Sequence, residues 1–104
     1  MYILTSALLT AFSVYLRQTE LAPGTIENYL RHLHAFSAFA GGREITRELT
    51  AAWRDKLCDL GRKPGTVNGM LVSLNVFFKF ADWNGVSCKL LRIQRRAFGT
   101  RTGS

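Results

Sequence analysis

The side chains of this chain best placed to do chemistry are small and uncharged. Thr66, Asn68, Gly69 and Ser73 follow closely on Pro64, and Arg62 and Lys63 stand immediately before it. Their spacing predicts the polar side of a helix near its start. A helix start offers N–H groups without intrahelical acceptors and the positive end of the macrodipole, so phosphate is the group it suits. No bulky side chain blocks close approach, and two cations flank the place. A plainer reading stands beside this one: Thr25 and Thr66 supply first-turn hydrogen bonds, and Gly69 is a tolerated weak point in a helix. Cys58 and Cys88 have no His or Cys at metal-ligand spacing and read as two reduced thiols, so neither a metal nor a cofactor is expected.

The elements that must position these residues are visible in an internal repeat. Residues 5–40 recur forty-one positions later as residues 46–81. Pro23-Gly24-Thr25-Ile26 returns as Pro64-Gly65-Thr66-Val67, and Leu30, Leu33, Phe36, Phe39 and Ala40 return as Leu71, Leu74, Phe77, Phe80 and Ala81. Thr5, Leu8, Ala11, Phe12 and Leu16 return as Thr46, Leu49, Ala52, Trp53 and Leu57. The matched positions are a helix-start signal and then one apolar face, so each copy predicts a helix, a turn and a longer helix. The fold expected is all-α, a four-helix bundle of two helical hairpins.

The first helix is expected from Thr5 or Ser6 to about Thr19, with Leu4, Leu8, Phe12 and Leu16 toward the core. The second opens at Pro23, where a missing N–H costs nothing, and stops at Gly41-Gly42. Thr46 caps the third, which runs toward Gly61, and Pro64 opens the fourth, which ends near Trp83-Asn84-Gly85. Phe39, Phe78 and Trp83 are expected at the surface.

Charge is distributed unevenly. Fourteen Lys and Arg oppose seven Asp and Glu, and all seven acids lie at or before Asp82. Beyond Trp83 come Lys89, Arg92, Arg95, Arg96 and Arg101 without an acid. Such a tail seeks polyanions, and without a large apolar stripe nucleic acid is the commoner partner than a membrane. No stretch is apolar for long enough to cross a bilayer, and the uncharged start, Met1–Leu16, lacks the basic residues of a signal segment. The domain expected is 1–85, followed by a basic linker or tail over 86–104. Leu90, Leu91, Ile93 and Phe98 interleave with the tail charges, so residues 86–98 are expected to fold or dock only along DNA or against another domain.

Phe12-x-x-Tyr15-Leu16, Leu21-Ala-Pro-Gly-Thr25-Ile26-x-x-Tyr29, Leu33-x-x-Phe36-x-x-Phe39 and Gly61-x-x-Pro64-x-Thr66-Val67-Asn68, leading to Phe77-Phe78-x-Phe80, occur in this order. In order and spacing the chain resembles the N-terminal core-binding, SAM-like domain of phage-integrase-type tyrosine recombinases. The stretch Cys88 to Arg96 resembles the interdomain linker of integrases from mobile elements. The residues before the two prolines, Ala22 and Lys63, depart from the Ser common in that family, which weakens the expected capping.

The resemblance implies a half-clamp on duplex DNA for site-specific integration and recombination. It places Thr25, Glu27, Asn28 and Arg31 at the DNA from one hairpin and Arg62, Lys63, Thr66, Asn68, Gly69 and Ser73 from the other, with Lys89, Arg92, Arg95 and Arg96 from the tail. Arg and Lys would hold phosphates, and Asn28 and Asn68 would read base edges, since an amide both donates and accepts. Glu27 would pair with Arg31. The partners implied are double-stranded DNA, the recombinase's own catalytic domain and other protomers on the DNA, in a bacterial or phage-infected cytoplasm. Catalysis in the family belongs to a second domain with a nucleophilic tyrosine. His32 and His34 lack the family's His-x-x-Arg spacing, so no residue here is a catalytic candidate and this chain alone is expected not to be an enzyme. A different class remains open: a forty-one-residue helical repeat also fits a HEAT-like fragment that binds proteins.

Overall fold

Thr5 turns its hydroxyl onto the N–H of Leu8 (3.2 Å), and Thr46 does the same for Leu49 (3.1 Å). The computed structural model describes residues 1–91, and these caps open its two shorter helices, α1 (Ser6–Arg17) and α3 (Arg47–Asp59). The longer helices, α2 (Pro23–Ala40) and α4 (Pro64–Phe80), start at their prolines. Neither Ala22 nor Lys63 makes a side-chain cap bond there. An isolated antiparallel bridge joins Ile3 to Glu44, and the described residues contain no named strand.

Each long helix is stopped by its own device. Gly41 takes the left-handed conformation (φ 59°), and Arg43 donates to the carbonyls of Ala40 (2.8 Å) and Phe39 (2.6 Å). At α4 it is Asp82 that turns left-handed (φ 59°). The Trp83 N–H reaches back to Phe78 O (2.9 Å) and the Asp82 N–H to Lys79 O (3.2 Å), the paired bonds of a Schellman ending. The Trp83 ring stacks on Phe78, with centroids 5.9 Å apart. The helix therefore ends at Phe80, before the expected Trp83-Asn84-Gly85.

The core is built by exchange between the hairpins. Phe12 of α1 meets Phe77 of α4 edge-on (centroids 5.2 Å), and its counterpart Trp53 of α3 meets Phe36 of α2 in the same manner (5.9 Å). Phe12 also touches Phe80 (5.4 Å), as Trp53 touches Phe39 (5.1 Å). Each short helix thus packs its aromatic on the long helix of the other hairpin, and one shared core results. Two contacts join counterparts directly: the Ile3–Glu44 bridge, and His32 with Ser73 (2.7 Å), in each case forty-one residues apart. The aromatic contacts come in exchanged pairs, Phe12 on Phe77 with Trp53 on Phe36 and Phe12 on Phe80 with Trp53 on Phe39, which a two-fold relation produces and a translation does not. The two hairpins are therefore related by a local two-fold axis that passes the crossing of α2 and α4.

Burial corrects two expectations on α4. Phe78 is 1% exposed, because it faces α2 and the Trp83 ring, and Ser73 is fully buried at the crossing. Phe39 and Trp83 are partly buried against the core. The Trp53 indole N–H is buried without a hydrogen-bond partner, an atom that its counterpart Phe12 does not carry.

The chain does not leave the body after Gly85. Val86 and Cys88 join the core cluster and Leu91 packs against it. The expectation that 86–98 docks only on demand is thus corrected for residues 86–91, which asparagine side chains of α4 hold in place. Residues 92–98 lie outside the described residues.

Candidate nucleic-acid interface

The first N–H groups of any helix lack intrahelical acceptors and need another partner. In α1 and α3 a threonine supplies it, whereas α2 and α4 open with no side-chain cap. Their first turns are also bare. Gly24 and Gly65 follow the prolines, and a Cβ at either would meet nothing within 4 Å. Gly69, one turn further along α4, is exposed and equally open. Glycine inside a helix costs about 1 kcal/mol relative to alanine, and no neighbour in the fold requires it here. What the bare turn offers is backbone that an external group can approach closely.

The cations around these starts come from both hairpins. Arg62 and Lys63 precede α4 and are exposed, as are Glu27, Asn28 and Arg31 on α2 and Thr66 on α4, while Thr25 is half-buried. His32 ties the two groups together. Burial, first, and then the positive charges of Arg31 and Arg62 hold its imidazole below the usual pKa of 6.5. Both arginines, one from each hairpin, thus act on an imidazole at the α2–α4 crossing. The Ser73 hydroxyl lies 2.7 Å from His32 Nδ1 and 3.1 Å from Gly69 O, which ties the imidazole to α4.

Several expected site residues have other duties. Arg31 Nη1 donates to Asn28 Oδ1 (3.0 Å), the partner the structure gives it in place of Glu27. Ser73 is buried and bonded within the crossing, so it leaves the surface. Asn68, expected to read bases, engages both ends of its amide with the backbone of Leu91. Lys89 is exposed, and its carbonyl accepts from Arg54 Nη1 of α3 (2.8 Å). Arg92, Arg95 and Arg96 lie outside the described residues. Sequence reasoning missed Asn75, Arg54 and the cleft of about 440 Å³ beside them, which Arg47, Arg54 and Lys89 line with positive charge. The signal for Asn75 was available: it stands seven residues after Asn68, on the same side of α4. Cys88 shares that cleft, and burial pushes its thiol up to about 11, against weaker lowering by Thr50 and Arg54, which makes it a poor nucleophile. No cluster of metal-ligating side chains occurs among the described residues.

Fold and surface together define an all-helical module of two interlocked hairpins, whose two long helices cross at His32 and Ser73 and each open without a side-chain cap. The chain belongs to the phage integrase family, since the family model of the phage integrase N-terminal SAM-like domain matches residues 9–85. No curated protein and no solved structure matches it. The HEAT-like alternative finds no support. Its repeats stack by translation and leave open ends, whereas here the copies exchange contacts, Phe12 on Phe77 and Trp53 on Phe36, and so close on one another about a two-fold axis. No helix among the described residues is long and apolar enough to cross a membrane.

Proposed function

We propose that this chain binds duplex DNA as the core-binding half-clamp of a site-specific tyrosine recombinase of a mobile element. The observation that carries the reading is the pair of uncapped, glycine-opened starts of α2 and α4, with exposed Arg31 on α2 and exposed Arg62 and Lys63 before α4. Arg31, Arg62 and Lys63 hold phosphates, with Thr25 and Thr66 adding neutral donors and the bare backbone at Gly69 allowing close approach. Asn28 keeps its amide N–H groups for a base edge, and Glu27 can accept from a cytosine amino group. Lys89, Arg92, Arg95 and Arg96 extend the phosphate contacts. Strand cleavage and rejoining through a phosphotyrosine belong to a separate catalytic domain of the same recombinase, with further protomers on the DNA.

The test is binding of the purified chain to a fluorescent duplex as salt is raised. Affinity on the order of micromolar or weaker near physiological salt, tightening as salt falls, is the outcome expected of a half-clamp dominated by phosphate contacts. Absence of binding at low salt, or binding indifferent to salt, removes the proposal.

A further inference from the structure

Two asparagines on α4 treat the segment after Gly85 as a strand. Asn75 Nδ2 donates to Cys88 O (3.0 Å), and Asn75 Oδ1 accepts from the Cys88 N–H (2.6 Å). Asn68 repeats the pattern with Leu91, donating to its carbonyl (3.0 Å) and accepting from its N–H (2.7 Å). A primary amide that exchanges both bonds with one residue copies the paired rung of an antiparallel ladder. From the other wall, Arg54 of α3 donates to Lys89 O (2.8 Å) between the rungs.

The rungs admit one register. Asn68 and Asn75 are seven residues apart, and seven residues of α-helix rise about 10.5 Å. Cys88 and Leu91 are three apart, and three extended residues span about 10 Å. With rungs only two residues apart the segment could not reach, and with rungs four apart it would have to bulge away from the helix. The order of the bonds also fixes direction. The later residue, Leu91, meets the earlier asparagine, so the segment runs back along α4 from its end to its second turn, where Gly69 lies. The first hairpin has no such device: Glu27 and His34 stand at the counterpart positions, and neither ionised carboxylate nor imidazole offers the paired donor and acceptor of an amide.

We propose that Asn68 and Asn75 form a register lock that fixes Leu91 beside the second turn of α4, near the nucleic-acid face. Both are positioning residues. The basic run beginning at Arg92 follows directly on the last rung, so the lock delivers it to the duplex at high local concentration. This second step rests on the DNA-binding reading given above, while the register itself does not.

Two insertions in the 104-residue chain separate the possibilities. One glycine is added between Gly85 and Val86 in the first variant and between Lys89 and Leu90 in the second, so both have the same length and composition. Amide exchange at Cys88 and Leu91 is followed, with the Phe36 amide of α2 as a control for the intact fold, beside the salt slope of duplex binding. The first insertion lies before both rungs and should leave both amides slow and the slope unchanged. The second should leave Cys88 slow, speed exchange at Leu91 at least tenfold and reduce the slope. Equal behaviour of the two variants at Leu91, or an unprotected Leu91 amide in the parent chain, overturns the lock. If the amides respond as stated but the two slopes agree, the positioning role is overturned. Should the parent chain bind no duplex, the functional reading fails, and the exchange contrast still decides the register.

Discussion

At position 28, Asn28 accepts from Arg31 on an exposed turn of α2, and at its counterpart on α4 stands Gly69, with open space where a side chain would be. Before Pro23 the chain has Leu21 and Ala22, and before Pro64 it has Arg62 and Lys63. The first hairpin thus presents side chains with little charge ahead of the helix, and the second presents bare backbone between cations. Inside, the copies scarcely differ, because each aromatic has to fit against the other copy: Phe12 on Phe77 repeats as Trp53 on Phe36. Interlocked packing holds the interior alike, while the exposed positions of the helix starts, where a Cβ at Gly24, Gly65 or Gly69 would meet nothing, are free to diverge. Divergence at the starts is therefore informative about partners in a way that the shared core is not.

The equivalence of the interiors can be broken at its centre. Phe36 and Phe77 are fully buried counterparts, and replacement of either by alanine should cost about 3–5 kcal/mol in denaturant unfolding. The two losses should agree within about 1 kcal/mol, given the scatter between core sites of one chemistry. A Phe36→Ala variant far milder than Phe77→Ala would show that the second hairpin folds on its own and that the interlock is nominal.

The difference at the helix starts should appear in salt dependence. Arg62→Ala with Lys63→Ala is expected to reduce the slope of log K against log salt by up to about 2 units, and Arg31→Ala by about 1. An unchanged slope in the double variant takes the turn before α4 off the DNA. Position 28 and its counterpart sharpen the same contrast with opposite signs. Gly69→Ala should stabilise the free protein by about 0.4–1 kcal/mol, since alanine fits the open space and favours the helix. The same change should weaken binding to every duplex alike, because it fills the gap that phosphate would enter. Asn28→Ala should instead redistribute preference among duplex sequences. A Gly69→Ala variant that is more stable and binds as before makes the glycine incidental.

Much of this fold is local and was legible for that reason. Threonines at 5 and 46 mark helix starts through bonds made three residues on, prolines at 23 and 64 through a missing N–H and a fixed φ, and each start falls where those residues place it. The end of α4 was read too late because Asp82, not a glycine, takes the left-handed turn. The surface was harder. Ser73 and Asn68 look like solvent residues on a helical wheel, yet one meets its own counterpart across the two-fold axis and the other pairs with backbone. Backbone partners leave no complementary residue to find in a sequence, which is why the basic stretch after Gly85 reads as a tail although its first six residues are docked. The repeat did contain one usable hint, since His32 and Ser73 are equivalent positions on the polar edges of helices that had to cross.

The smallest expected effect lies at that crossing. The imidazole of His32 is held below 6.5 by burial and by Arg31 and Arg62, so as pH falls the unfolded chain takes up this proton before the folded one does. The stability this group contributes is complete above 6.5 and declines as pH drops through 6.5 toward the lowered folded value. Thermal unfolding from pH 7.5 to pH 5 should show a fall in midpoint, and His32→Gln should flatten part of it by removing the titrating ring. Carboxylates contribute only at lower pH, which keeps the upper end of the window specific to histidine. His34 lies exposed on α2 away from the crossing contact, so His34→Gln is the control that should leave the curve as it was. If both variants flatten the curve equally, the strain belongs to the overall positive charge of the chain, and the crossing of the two hairpins is electrostatically no different from the rest of α2.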